Sequence, residues 1–459
     1  IANQAVGTTI GSDTITNFEN IKAGSGDDTL IGSSAQNIIY GGIGQDFIYG
    51  AAGDDKLFGE DGNDTLAGGV GNDSIDGGAG TDTVSYFDAN SVIVNLRGTT
   101  NGTGNVNYSS TTYTDKLYSI ENVIGSAGND TIQGNDADNI LDGAGGVNTV
   151  SYDGAVAGVT VDLGITGAQN TLGDGTDTLL NFDNLIGSGN DDILKGNSNS
   201  NIIKGGNGSD SIYGIGGANF LYGGLGDDTF IGKVLGSDFI DGESGNDKVN
   251  YSTLLSANSI TVDLGTTTTF NDENGNSQTV YQITINGGDN DYVKNITTFE
   301  GSQGDDNFIT TTGTYSFIGG SGDDTFSGSS FTGSSIDGSN HTILADGTQG
   351  ATNAYTGKGD TVDYSNVVDK IILTLENGSD TTTVKVGGTD SDHTIKNIEN
   401  IYGSNTAGDT ITGNNSNNTI LGQAGDDTID GGNGSNYLDG GTNDAKGDTV
   451  SFVSASNSI

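Results

Sequence analysis

A nine-residue period governs this chain. From Ala23 to Ser85 the sequence divides into AGSGDDTLI, GSSAQNIIY, GGIGQDFIY, GAAGDDKLF, GEDGNDTLA, GGVGNDSID and GGAGTDTVS. Each line opens with a Gly-rich loop, places Asp or Asn at its sixth position and closes on three residues with an aliphatic in the middle. Glycines at the first, second and fourth positions permit positive φ and tight turning. The closing triplet is a minimal strand whose middle side chain points inward. In this run the inward residues are Leu30, Ile39, Ile48, Leu57, Leu66, Ile75 and Val84. Two nonapeptides make one coil, so loops on the same side of the coil stand 18 residues apart in the sequence.

The period returns at Gly125–Ser151, Gly187–Asn250, Gly301–Ser327 and Gly403–Ser451. A larger repeat lies above it. Each run closes on a similar phrase: TVSY at Thr83–Tyr86 and Thr149–Tyr152, KVNY at Lys248–Tyr251, TVDY at Thr361–Tyr364, TVSF at Thr449–Phe452. An alternating strand follows at Val92–Leu96, Val159–Leu163, Ile260–Leu264 and Ile371–Leu375, then a variable polar stretch. A lead-in then opens the next run, as in FENI at Phe18–Ile21, IENV at Ile120–Val123, FDNL at Phe182–Leu185 and IENI at Ile398–Ile401. The expected organisation is five β-roll units, 1–90, 91–155, 156–254, 255–367 and 368–459, in one continuous solenoid. No stretch sustains helical periodicity, and such frequent glycine opposes a helix, so the chain reads as all-β.

Only 31% of residues are hydrophobic and the formal net charge is −47, a balance that often marks disorder. The absence of proline and the even spacing of aliphatics argue instead for a chain that folds once its acidic charge is neutralised. The 14 Lys and Arg are scattered, which excludes a nucleic-acid partner. No apolar run approaches the roughly 18 residues that span a membrane. There is no Cys for a disulfide or thiol site. With no Met even at position 1, the expectation is a processed product or a slice of a longer array.

Stacked parallel strands lie about 4.8 Å apart and calcium–oxygen distances are about 2.4 Å. An ion between two stacked loops therefore reaches both, and the loops supply carboxylate and carbonyl oxygens, the hard ligands that calcium takes. Without the ion, carboxylates stacked at that spacing repel by roughly 1 kcal/mol per pair even at the dielectric constant of water. Calcium binding and folding are thus expected to be one event.

The pattern resembles the G-G-x-G-x-D-x-U-x repeat of RTX (repeats-in-toxin) proteins, a calcium-binding β-helix signature. GGIGQDFIY, GGVGNDSID, GGNGSDSIY and GGLGDDTFI match it nearly residue for residue. The resemblance implies a right-handed parallel β-roll, one-step (type I) secretion from a Gram-negative bacterium and calcium-driven folding outside the cell. It implies that the sixth-position Asp and carbonyls of loop glycines hold the ions. Carried over, these are Asp28, Asp46, Asp55, Asp64, Asp73 and Asp82 in the first run, Asp130 in the second, and Asp192, Asp210, Asp228, Asp238 and Asp247 in the third, with one extra residue near Leu235. They continue with Asp306, Asp324 and Asp360, then Asp409, Asp427 and Asp448. The glycines are Gly24, Gly26, Gly42, Gly44, Gly62, Gly80, Gly206, Gly208, Gly224, Gly226, Gly322 and Gly425. Departures follow a rule. Alternate turns put Asn at the sixth position, as at Asn201, Asn219, Asn418 and Asn436, which predicts strong sites on the Asp side and hydrogen-bonded closure or weaker sites on the Asn side. The first run, with Asp55 and Asp73 on its second side, is the candidate for a two-sided roll.

A catalytic reading finds little support. His341 and His393 are the two histidines, both in variable stretches, and read as solvated loop residues. No HExxH is present, and paired carboxylates such as Asp27–Asp28 are explained by the repeat. Outward aromatics (Tyr40, Phe47, Tyr49, Phe58, Tyr213, Phe220 and Tyr222) form either an assembly surface or ground that the variable stretches cover. Those stretches, Gly98–Leu117, Thr266–Val293 and Gly338–Gly357, suit display, adhesion or subunit contact. The expectation is a non-enzymatic, secreted, calcium-dependent structural protein of the bacterial surface: a surface-layer, sheath or filament subunit, or an adhesin stalk. Its expected partners are further copies of itself, bridged by calcium, and a cell-surface polysaccharide. The rival is the non-catalytic RTX tail of a secreted enzyme or toxin. An ice- or glycan-binding module wants an outward Thr ladder, which is not seen.

Overall fold

The structure, a computed structural model, describes residues 18–98, 102–108, 111–339, 359–377, 380–388, 392–442 and 446–454, and the backbone of 4–7 and 11–14. All regular elements among them are strands. The chain divides into two compact units, Ile1–Gly216 and Gly217–Ile459.

The period of 18 is visible directly in the strand register of the first unit. Leu30 lies beside Ile48 and Ile48 beside Leu66 in one parallel sheet. Ile39, Leu57 and Ile75 line up the same way in the other. Each is at most 1% exposed. The core is thus two files of aliphatic side chains, each worth about 1.5–3 kcal/mol on full burial. A three-residue strand leaves little else to bury. In the second unit aromatic rings thicken the files, and Phe308 stacks on Phe326 with centroids 5.0 Å apart.

The described parts of the variable stretches Gly98–Leu117 and Thr266–Val293 are mostly sheet. In the first unit Thr111–Tyr118 runs parallel to Ser74–Ala79. It pairs antiparallel with Gly102–Tyr108, which pairs antiparallel with Ser91–Asn95. Ser91–Asn95 then lies parallel to Thr131–Gln133, where the next run begins. The excursion is a three-stranded meander spliced into the sheet, so the coil stack continues through it. The second unit repeats this plan. Phe239–Ser244, Asp291–Lys294, Ser277–Ile285, Ile260–Asn271 and Asn307–Thr310 are neighbours in that order. So are Ser335–Asp337, His393–Lys396, Thr382–Val386, Ile371–Thr374 and Thr410–Thr412. The alternation of Val92, Val94, Ile260, Val262, Ile371 and Leu373 is explained: all are buried in the core.

Excursions also cover much of the outward aromatic set. Phe87 packs on Tyr49 (5.4 Å) and Phe47 (6.5 Å), and Phe270 packs on Phe220 (6.4 Å). Tyr222 bonds to Glu273. Tyr40 stacks on Phe58 at 4.8 Å, and Lys195 sits over Tyr213.

His393 corrects the sequence reading. It is not a solvated loop residue but begins the strand His393–Lys396, 3% exposed, because the excursion returns into the sheet at that point. His341 and most of Gly338–Gly357 lie outside the described residues.

Candidate calcium ladder

Each mid-run Asp precedes a strand triplet, which tucks its carboxylate beneath the loop. Asp46, Asp55, Asp64, Asp73 and Asp82 are at most 2% exposed. Their Oδ1 atoms form a ladder. The Asp28 N–H donates to Asp46 Oδ1, Asp46 N–H to Asp64 and Asp64 N–H to Asp82, each at 2.8 Å. On the other side of the coil Asn37 N–H donates to Asp55 Oδ1 and Asp55 N–H to Asp73, each at 2.7 Å.

The Oδ2 atoms have no such partner. In Asp46, Asp55, Asp64, Asp73, Asp82, Asp247 and Asp427, Oδ2 is buried without a hydrogen bond. Each faces a cradle kept open by the first glycine of its own loop. A Cβ built on Gly41 would strike Asp46 Oδ2 and stand 2.8 Å from the Gly59 carbonyl oxygen of the next coil. Gly50 relates in the same way to Asp55 Oδ2 and the Gly68 carbonyl, and Gly59 to Asp64 Oδ2 and the Gly77 carbonyl. The arrangement continues at Gly422 with Asp427 and the Gly440 carbonyl. Asp228 and Asp324 stand over Gly223 and Gly319 in the same geometry.

A buried carboxylate oxygen that shares a cradle with a carbonyl oxygen is repelled by it, and burial of an unpaired charge is costly. Burial accordingly pushes Asp73 up to about 8, with the Asp115 charge adding to it, Asp55 to about 7, and Asp82 and Asp247 to about 6. Asp46, Asp64 and Asp427 are raised for the same reason. A cation between the two oxygens removes the conflict. The donors are all hard oxygens, which fits calcium. Among the described residues no three His, Cys, Asp or Glu side chains converge, so main-chain carbonyls would have to supply much of the coordination.

A family model for the RTX calcium-binding nonapeptide repeat matches residues 22–57, 49–84, 119–150, 182–212, 195–230, 235–252, 300–332 and 404–444, just over half of the chain. The chain belongs to the RTX calcium-binding nonapeptide repeat family. The all-β parallel roll agrees with that membership. Among solved structures, the extracellular lipase LipA from Serratia marcescens is similar at 15% identity, over 59% of this chain and 38% of the lipase chain, with a TM-score of 0.14. No curated protein sequence matches significantly.

The RTX aspartates fall into distinct environments. The first Asp of four runs is already satisfied. Asp130 Oδ2 accepts the Ser126 N–H at 2.6 Å, while its Oδ1 accepts the Ser126 hydroxyl at 2.8 Å and the Val92 N–H at 2.7 Å. Asp192, Asp306 and Asp409 are held the same way by Ser188, Ser302 and Ser404 and by the N–H of Val159, Ile260 and Ile371. Asp238 is different again, because Lys233 Nζ lies 2.7 Å from its Oδ1. The segment that carries the extra residue near Leu235 thus brings an ammonium to this carboxylate. Asp210, Asp360 and Asp448 accept the N–H of Asp192, Asp324 and Asp427 in the ladder manner.

The RTX glycines at the second and fourth loop positions serve stacking. Gly42 and Gly44 have φ of +113° and +146°, and a Cβ on either would strike the backbone of Gly24 or Gly26 one coil below. Gly62, Gly80, Gly206, Gly208, Gly322 and Gly425 repeat this, and Gly224 and Gly226 share the positive φ. The carbonyls that share a cradle with Asp Oδ2 belong to first-position glycines, including Gly59, Gly68 and Gly77, which are additional to the glycines expected from the sequence.

Asn positions close on themselves. Asn201 Oδ1 accepts the Asn197 N–H at 2.9 Å and its Nδ2 donates to the Asp183 carbonyl at 2.6 Å. Asn37, Asn139 and Asn418 donate in the same way to the carbonyls of Glu19, Glu121 and Glu399. At these four positions the amide oxygen sits in the first-glycine cradle and accepts the N–H of the following loop residue there.

Three further acids join the ladder from excursions. Asp73 N–H donates to Asp115 Oδ1 at 2.9 Å, Asn139 N–H to Asp177 at 3.0 Å and Asp238 N–H to Asp291 at 3.0 Å. Their sequence signal is an Asp-x-aliphatic triplet outside the nonapeptide runs: Asp115–Leu117, Asp177–Leu179 and Asp291–Val293.

Proposed function

We propose that this chain is a secreted structural protein of the bacterial surface, exported by a one-step route and folded by extracellular calcium. It would serve in a surface layer, sheath, filament or adhesin stalk, and would have no catalytic role. The observation that carries this reading is the buried Asp Oδ2 set against a carbonyl oxygen, repeated from coil to coil in the first run. Each site that fills to 100 times its Kd stabilises the fold by about 2.7 kcal/mol. Several such sites in series make folding a switch between low internal and high external calcium. The excursions, ordered as sheet, offer side-chain surfaces that differ from unit to unit. Such surfaces suit contacts between copies of the chain, bridged by calcium at the acidic exterior, or with a cell-surface polysaccharide.

Electron microscopy of the chain after EGTA treatment and after re-addition of calcium tests this reading. Filaments or sheets that form with calcium and dissolve with EGTA are expected. Isolated particles at every calcium concentration would favour the rival reading as the non-catalytic part of a secreted enzyme or toxin.

A further inference from the structure

The ladder does not end where a nonapeptide run ends. Above Asp82 no further Gly-rich loop follows, yet Asp82 Oδ2 is buried without a hydrogen bond in a residue that is 0% exposed. A Cβ on Gly77 would strike both Asp82 Oδ2 and the carbonyl oxygen of Ser119. Ser119 is the corner that ends the excursion, at φ +48°. Two residues on, Glu121 Oε2 accepts the Asp82 N–H at 2.7 Å, the part played elsewhere by Asp Oδ1. Glu121 and Asn122 N–H both return to the Asp82 carbonyl.

The second unit repeats this corner. Asp247 Oδ2, buried and without a hydrogen bond, shares the Gly242 cradle with the carbonyl of Asn295, at φ +55°. Asp360 shares the Gly338 cradle with the carbonyl of Asn397, at φ +54°, and its N–H donates to Glu399. One corner differs, and it supplies a control. At Gly143 the run ends on Asn148, whose Nδ2 donates to the carbonyl of Asn181 at 3.0 Å. Where the side chain brings its own proton, the same carbonyl is satisfied. Where it brings a carboxylate oxygen, two acceptors face each other.

We propose that the last Asp of a run and the corner of the following excursion form a calcium site, assembled from Asp82, the Ser119 carbonyl and Glu121, and again from Asp247 and the Asn295 carbonyl. It rests on the calcium-ladder reading and adds a function to it. Here the ion joins Asp82 to Glu121, 39 residues on, and so fastens these two excursions to the coil stack.

Calorimetric titration of the full chain with calcium, with amide exchange across 111–120, tests this. Asp82→Asn is expected to bind one ion fewer and to speed exchange across 111–120 at least tenfold in saturating calcium. Asp64→Asn is expected to lose one ion with 111–120 still protected. Glu121→Gln, which keeps an acceptor for the Asp82 N–H, is expected to weaken one site several-fold. Should Asp82→Asn fail to fold, Asn148→Asp decides: one additional ion supports the corner site, and an unchanged count overturns it. An unchanged ion count in folded Asp82→Asn overturns the corner site while leaving the ladder. A wild-type chain that binds no calcium overturns both.

Discussion

Tyr251 donates its hydroxyl proton to Asp291 Oδ2 across 2.6 Å. The bond ties the phrase that closes a run to the returning strand of the excursion after it. The pairing recurs. Tyr152 donates to Asp177 Oδ2 at 3.1 Å, Tyr86 lies beside Asp115, and Tyr364 meets His393 Nε2 at 2.8 Å. Each tyrosine is buried. Asp177 and Asp291 thus receive a hydroxyl on the Oδ2 atom that the repeat acids turn toward a glycine cradle.

Tyr251→Phe removes that donor and leaves a buried carboxyl with less than its full set of bonds. A loss of about 1–3 kcal/mol is expected, measured by denaturant unfolding in saturating calcium. Because the ring and its packing remain, the number of bound ions is expected to stay at the wild-type value.

Without calcium the ladder carboxyls favour their protonated forms. Burial raises Asp73 to about 8, Asp55 to about 7 and Asp82 to about 6 from an ordinary 3.8. Groups raised on folding stabilise the fold most below their unfolded value, and that contribution is lost as pH rises through about 6 to 8. The EGTA-treated chain is therefore expected to hold more β structure at pH 5 than at pH 8 by circular dichroism. With calcium the sign reverses, since protons compete with the ion, and affinity is expected to fall as pH drops. Equal β content at both pH values in EGTA would contradict the burial of these carboxyls.

The Asp and Asn turns separate in ion counts. Asp64→Asn replaces a free carboxylate oxygen, and one ion fewer is expected by calorimetry. Asn201→Ala removes the bonds to Asn197 and the Asp183 carbonyl, which costs about 1–2 kcal/mol, with no ion lost.

Gly59→Ala tests the cradle itself. The methyl would strike both Asp64 Oδ2 and the Gly77 carbonyl, so the two oxygens must move apart while every carboxylate remains in the chain. Loss of one ion is expected, with a higher calcium concentration needed for half-folding.

Much of the fold was legible because one aliphatic per nine residues has only one way to face inward. Leu30, Ile48 and Leu66 stack as their spacing requires. The excursions were less legible. The partner of Thr111–Tyr118 is Ser74–Ala79, far away in the sequence, and pairing of that kind leaves no local period. His393 misled for the same reason, since its neighbours in sequence are polar and it is buried where its strand pairs with Ser335–Asp337 and Thr382–Val386. The Ser126–Asp130 bond was hidden because Ser at a loop's second position reads as a substitute for glycine. The closing tyrosines were visible as a recurring phrase, but their partners Asp177 and Asp291 lie outside the nonapeptide runs.

The central claim is that calcium enters the Asp ladder as the chain folds. The most direct measurement follows far-UV circular dichroism and bound calcium on the same sample through one titration from EGTA to excess calcium. The account predicts a chain with little β structure in EGTA, and coincident, steep rises of β signal and bound calcium. Full β structure in EGTA, unchanged as calcium binds, would contradict it.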